Sequence, residues 1–261
     1  MTGKYFASLF FFSCLSFSTA VFSENAPPTR LVDAPTAGSL PKLGYMAEGQ
    51  FFDGGGLTCR VGFGLTDIIM VGVSYGGSQI IGSRRTSFQP HVATQVRIRL
   101  VEETMSMPAF SIGFDSQGDG SYVRGDKLNR FCNKSRGVYL VASRNYRFLG
   151  YLGIHGGINY SLENDDGDKD PSFWAGLDKD MGRDLELCAE YDFATNDNEI
   201  NSMTANRGYL NGAVKWHLGK TFILEFDLKN VLRNTKKNFA GGIDERPEPS
   251  REIRFMYQGK F

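Results

Sequence analysis

The sequence predicts an all-β protein, a closed antiparallel up-and-down transmembrane β-barrel of about twelve strands behind an N-terminal signal peptide. Three observations carry that expectation. Apolar and polar residues alternate with period two in one segment after another. Short and long connections between those segments alternate along the chain. The final segment ends on an aromatic residue, with further large apolar side chains behind it on the same face.

The alternation is clearest in residues 221–229, where Phe222, Leu224, Phe226 and Leu228 oppose Glu225, Asp227 and Lys229. In residues 184–193, Leu185, Leu187, Ala189, Tyr191 and Phe193 oppose Glu186, Glu190 and Asp192. Residues 91–100 set Val92, Val96, Ile98 and Leu100 against Gln95, Arg97 and Arg99. Residues 209–218 set Leu210, Val214, Trp216 and Leu218 against Asn211, Lys215 and His217. In residues 251–261, Ile253, Phe255, Tyr257 and Phe261 face away from Arg254, Gln258 and Lys260. Weaker matches at 43–52, 57–65, 68–76, 109–115, 137–148, 151–162 and 172–178 complete the set. Residues 138–142 are apolar on both faces, so that strand's inner side is undetermined.

A period of two puts one residue set on each side of a sheet. Large apolar residues outside and full charges inside is the arrangement lipid demands. In hydrocarbon every backbone N–H and C=O must be paired within the protein, so only helices and closed barrels span. A soluble sandwich would also alternate, but it needs no alternation of turn lengths. The segments also run to the roughly 9–11 residues of a tilted spanning strand, beyond the soluble mode of about 5–6. Short connections fall at 66–67, 102–107, 149–150, 179–183 and 219–220, and long polar ones at 77–90, 116–136, 163–171, 194–207 and 230–250. Residues 53–56 are the exception, a short connection where a long one belongs.

The domain organisation follows. Residues 1–23 read as a signal peptide: Lys4, then a Phe-rich apolar stretch to Leu15, then small residues, with cleavage after Ala20 or Ser23. An N-terminal anchor or a lipidated Cys14 are the alternatives. Residues 24–41, rich in Pro, Ala, Thr and Ser, read as an extended periplasmic lead. Residues 42–261 form the barrel, and the expected location is the bacterial outer membrane.

Charge is balanced, with 29 Lys+Arg against 29 Asp+Glu, so nothing points to nucleic acid. Cys59, Cys132 and Cys188 have no metal-ligand spacing and allow at most one disulfide. The candidate functional set is a lumen charge network: Arg97 and Arg99, with Asp115 among their acidic neighbours; Glu186, Glu190 and Asp192 across a hairpin from Lys215 and His217; and Glu225, Asp227 and Arg254. A barrel of this size lies between side-chain-filled small barrels and open porins, so a narrow or plugged lumen is expected. His91, His155 and His217 all fall on the lumen set without a motif around them. No catalytic residue, metal site or cofactor is assigned, and the chain is read as a non-enzyme. The acidic residues 163–170 lack the spacing of a calcium loop, and Arg84-Arg85 is suited to lipopolysaccharide phosphates.

The aromatic end, Ile253, Phe255, Tyr257 and Phe261, resembles the C-terminal signature of bacterial outer-membrane barrels, although Gly259 leaves one position bare. That resemblance implies reading by the barrel-assembly machinery, with membrane lipid and lipopolysaccharide as further partners and a monomeric state. Residues 31–38 followed by 43–52, together with 109–117, resemble the YjbH-like exopolysaccharide-associated barrels, which implies a link to polysaccharide secretion and no catalytic residues. Two rivals remain. A lipid or peptide hydrolase would bring His155 or His217 to a Ser and an acid, and an adhesin would fold loops 116–136 and 230–250 into a compact apolar surface.

Overall fold

A computed structural model describes residues 28–125, 128–199, 202–235 and 249–261. The expected signal peptide and part of loop 230–250 lie outside these. The strands are β1 (Gly44–Phe52), β2 (Gly56–Gly64), β3 (Ile69–Ser78), β4 (Ser87–Phe88), β5 (Ala93–Val101), β6 (Ala109–Asp115), β7 (Asp119–Gly125), β8 (Leu128–Asn133), β9 (Gly137–Arg147), β10 (Tyr151–Tyr160), β11 (Ser172–Asp180), β12 (Leu185–Asp192), β13 (Tyr209–Leu218), β14 (Phe222–Lys229) and β15 (Ser250–Lys260). Setting aside the two-residue β4, the main sheet has twelve strands, and they close into a ring. β15 pairs antiparallel with β14 on one side and with β1 on the other, from Gly44 opposite Lys260 to Phe51 opposite Ile253. Every wall strand matches a segment read from the alternation. The short β7–β8 hairpin inside loop 116–136 was not anticipated.

The outer surface is apolar by pattern, not by isolated residues. Val96 and Ile98, Leu140, Ile154, Phe226 and Ile253 all point away from the lumen and are about 40–50% exposed. Aromatic residues collect at both rims: Tyr146, Phe148, Tyr151 and Tyr257 at the short-turn end, and Tyr75, Tyr160, Phe173 and Phe193 at the long-loop end. Such girdles mark the lipid–water boundaries of a spanning barrel. Arg144 lies over the Tyr146 ring, 5.5 Å from its centroid, at the short-turn rim. There a cation can reach water while its stem stays in the apolar layer.

The core is inside the ring, and residues of the N-terminal segment build it. Residues 28–41 do not form the expected periplasmic lead. They enter the lumen from the short-turn end, rise to Val32 and Asp33, and fold back on themselves, with Arg30 bridged to Pro35. The turn is closed by Leu31 N donating to Ala34 O at 2.9 Å and Thr36 N to Thr29 O at 3.2 Å. Leu31, Val32, Ala34, Ala37 and Leu40 are all buried. Ala34 and Ala37 pack with Tyr139, Val141 and Trp174; Leu40 packs near Met46, Met70, Ile223 and Met256; Val32 packs with Cys188 and Ala213. Each fully buried Leu or Val contributes about 1.5–3 kcal/mol. The doubly apolar β9 is thereby explained: Val138 and Leu140 face outward, Tyr139 and Val141 face the plug. Cys59 is exposed outside and Cys188 lines the lumen, so these two cannot be bridged.

Phe261 adds contacts beside the β1–β15 seam that closes the ring. Phe261 N donates to Leu43 O at 3.1 Å, and its ring sits 4.8 Å from that of Tyr45 and 6.3 Å from that of Phe63. Deleting Phe261 is expected to lower the heat-modifiable, folded fraction in membranes several-fold more than deleting any one outer loop. Equal folded yields in the two cases would refute this role for the seam.

Candidate functional site: the plugged lumen

The lumen wall addresses the main chain of the plug. Glu190, on β12, accepts three successive amides: Val32 N at 3.0 Å, Asp33 N at 3.0 Å and Ala34 N at 2.8 Å. Its other oxygen accepts from Asn211 Nδ2 at 2.9 Å. Carbonyls are met by cations and other donors. Arg97 donates to Thr29 O at 2.8 Å and also to Gly38 O; Lys215 donates to Arg30 O at 3.1 Å; Arg254 donates to Val32 O. Trp174 Nε1 donates to Pro35 O at 3.3 Å and Ser111 Oγ to Ala37 O at 3.0 Å. Two plug side chains are paired as well. Arg30 meets Glu48, and Asp33 meets Lys229 at 2.8 Å and Arg254 at 2.6 Å.

This is why full charges sit deep in the strands. Backbone groups of a non-helical segment need partners once buried, and ionised partners make the stronger hydrogen bonds. Small residues give the clearance. A Cβ on Gly176 would lie 2.5 Å from Leu31 Cδ1, and one on Gly157 would lie 2.3 Å from the Trp174 ring.

The residues of the expected network meet the following partners. Glu186 pairs with Lys215 and His217, both at 3.1 Å, as the hairpin register implies. Arg254 pairs with Glu225 at 3.1 Å and lies 3.3 Å from Asp227. Asp192 pairs with Arg136 at 2.5 Å, not with β13. Glu190 is committed to the plug. Arg97 bonds the Tyr139 hydroxyl at 3.0 Å and the plug, while Asp115 accepts the amide of Gln117 at 2.8 Å. Arg99 keeps the lumen register opposite Ser111, lines the short-turn end of the lumen and pairs with Glu102 in the adjacent turn at 3.2 Å. His91 is exposed outside the strands, contrary to its expected lumen position.

The long-loop mouth is covered too. Asp119, at the start of β7, reaches in to Lys229 at 2.8 Å and Gln50 at 3.1 Å. Above it, Arg130 donates to Asp166 at 2.5 Å and to Asp197 at 2.5 and 2.9 Å, and Lys134 donates to Asp166 at 2.8 Å. Burial alone would lower the Arg130 pKa; the Asp197 and Asp166 carboxylates outweigh it and hold the guanidinium charged. Burial pushes the Glu163 carboxyl up, against the Ser135 and Phe131 amides that hydrogen-bond it. Within the acidic loop, Asp166 is matched to Arg130 and Lys134, and Asp168 accepts Asn198 N at 2.9 Å. Among the described residues no group of His, Cys, Asp and Glu is arranged for a metal.

One constellation has the composition of a hydrolytic triad. His155 Nδ1 lies 2.7 Å from Ser143 Oγ and Nε2 lies 2.5 Å from Asp178 Oδ1. The ring is reversed relative to the Ser–His–Asp template, in which Nε2 faces the serine. Ser143 Oγ also accepts Ala37 N at 2.7 Å; in the tautomer with its proton on Nε2, the ring donates to Asp178 and Nδ1 accepts the Ser143 hydroxyl. Ser143 and His155 line a cavity of about 250 Å³ at the short-turn end, together with Pro28, Thr36, Asn145 and Glu103.

No protein-family model matches the chain, and no curated protein matches it. Among solved structures it is similar to the KdgM porin, at 13% identity and a TM-score of 0.48 over 84% of this chain and 99% of that one. It is also similar to outer membrane protein Omp33 of Acinetobacter baumannii (10%, TM-score 0.45, 84% and 97%). The NanC porin is a third likeness (8%, TM-score 0.44, 83% and 99%). These are low identities and low scores, and the barrel is established by its own strand ladder.

Glu190→Leu is expected to cost the docked plug about 3 kcal/mol, since three amides lose one carboxylate in a buried site. Hydrogen exchange at Val32, Asp33 and Ala34 should accelerate about 100-fold. Unchanged exchange there would show that the plug is held by its apolar contacts alone.

Proposed function

We propose that the chain is an outer-membrane β-barrel whose pore is closed by its own N-terminal segment, a restricted channel that conducts when that segment withdraws. The observation that carries the reading is the position of residues 28–41. They fill the lumen of a ring whose outer face is apolar and girdled at both rims. Both limbs of the plug point to the short-turn end, where Pro28 lines the 250 Å³ cavity. With the plug gone, the exposed lining is a mixed set of ionised side chains, suited to a polar solute. Passage of a glycan, and a link to exopolysaccharide secretion, is the finer part of the proposal; it is supported by the YjbH-like resemblance of residues 31–38, 43–52 and 109–117. Lipopolysaccharide at the outer rim and the barrel-assembly machinery at the β15 end belong to the same proposal.

A hydrolase is the second reading, and the Ser143–His155–Asp178 chain is the observation behind it. Against it, Ala37 N–H occupies the hydroxyl and the imidazole is reversed, which makes the trio a latch that grips the plug. A fluorophosphonate that labelled Ser143 once residues 24–41 were removed would favour hydrolysis; no labelling would favour the latch.

Planar-bilayer conductance tests the main reading. The full chain is expected to show small or no steps. Deleting residues 24–41 is expected to raise unitary conductance at least about tenfold, because the segment fills the cross-section. Equal conductance for both forms would remove the plug from the mechanism.

A further inference from the structure

We infer that the lumen is a peptide-binding site, selective for a short turned segment with a basic residue three positions before an acidic one, and that residues 28–41 occupy it as a ligand in cis. The inference rests on the plugged-pore reading and extends it: the plug is not filler but a specifically recognised peptide, so the same peptide presented by a separate molecule competes for the site.

Three features carry it. First, the contacts are to peptide groups along the segment. Glu190 takes three consecutive N–H groups, and Arg97, Lys215, Arg254 and Trp174 take carbonyls of Thr29, Arg30, Val32 and Pro35. Recognition of the main chain is what a peptide site needs, and any segment of the right fold satisfies it. Second, side-chain selectivity is added at two positions. Glu48 faces Arg30, while Lys229 and Arg254 face Asp33. All three partners are almost wholly buried, so a charge of the wrong sign at position 30 or 33 would meet a like charge away from water. Third, the covalent connection contributes little to the recognition. Between plug and β1, Lys42 and Leu43 are exposed, and the chain there is held by Lys42 N to Asp67 at 3.0 Å and Leu43 N to Gly64 O at 2.8 Å, outside the lumen. Cutting at this point leaves every lumen contact in place.

The test uses the barrel lacking residues 24–41 and a synthetic peptide of residues 28–41. In planar bilayers the peptide, added to both sides, is expected to block the opened channel in a saturable manner. Peptides carrying Asp33→Arg or Arg30→Glu should need at least about 30-fold more for half-block. If the deleted barrel conducts but the native peptide does not block it, or the charge-reversed peptides block equally, the peptide site is wrong while the plugged pore stands. If the deleted barrel conducts no more than the full chain, the plugged pore itself fails. A second arm does not depend on folding without the plug. A site-specific protease sequence is inserted after Lys42, the full chain is folded, and then cut. The freed segment is expected to stay bound through gel filtration and to exchange with labelled synthetic peptide. Immediate release, or retention without exchange even after long incubation, would overturn the inference.

Discussion

A closed ring of twelve strands satisfies its wall backbone but encloses more volume than inward side chains of ordinary size can fill. The rest of the structure depends on how that volume is used. An aqueous channel would leave Arg97, Arg254, Lys215 and Glu190 hydrated. Here they are buried instead, and what buries them is a non-helical stretch of the same chain, which brings its own unpaired amides and carbonyls into the lumen. The two deficits cancel. Peptide groups that would be orphaned inside a barrel meet ionised side chains that would be expensive to desolvate alone. Each half supplies the partners that the other lacks, which is why Glu190 faces Val32, Asp33 and Ala34 and not a cation of the wall.

The two ends of the lumen are closed by different physics. At the short-turn end the packing is apolar, with Leu40 among methionines of β1, β3 and β15 and Ile223 of β14. Flexible methionine side chains fill irregular gaps and tolerate adjustment. At the long-loop end the closure is ionic: Lys229 gathers Asp33, Glu252 and Asp119, and Arg130 gathers Asp166 and Asp197. Charge networks hold one geometry and lose much when a member is removed. The soft seal is therefore on the side where the plug enters and the rigid one on the side where loops meet the exterior.

The wall was legible because its signal is local. Each strand's period of two is set by the lipid outside, and Phe226, Leu228, Ile253 and Phe255 can be sorted without knowing their neighbours. Pairing of Glu186 with Lys215 followed from hairpin register. What stayed hidden depends on contacts between distant segments. Residues 28–41 have the Pro, Thr and Ala content of an exposed lead, and nothing within them says that three of their amides will find a carboxylate on β12. A trace was nonetheless present on the wall. Tyr139 and Val141 on β9, Trp174 on β11, and Met46 and Met70 are apolar on a face where water would call for polarity. Apolar lumen residues in a barrel of this size imply something dry to pack against. Likewise Arg97 was expected to seek a carboxylate and found carbonyls, since a guanidinium's five donors serve either.

The shape of the plug bears on how it can leave. Residues 28–41 form a turned-back loop with both limbs directed to one mouth, so withdrawal needs no threading of a chain end through the barrel. The contacts are also ordered along the path. Near the mouth, Ala37 is held by Ser143 and Ser111, and Gly38 by Arg97; at the tip, Val32 and Asp33 are held by Glu190 and Arg254. A pull at Pro28 acts on the rising limb first. Thr29 and Arg30 would part from Arg97, Lys215 and Glu48 before the tip is disturbed. Sequential release of this kind spreads the cost over steps of a few hydrogen bonds, each worth about 1.5–3 kcal/mol where a charge is involved. Simultaneous loss of all of them would be a far higher barrier. A plug recognised at many modest points can thus be secure at rest and still removable from the side to which both its limbs point.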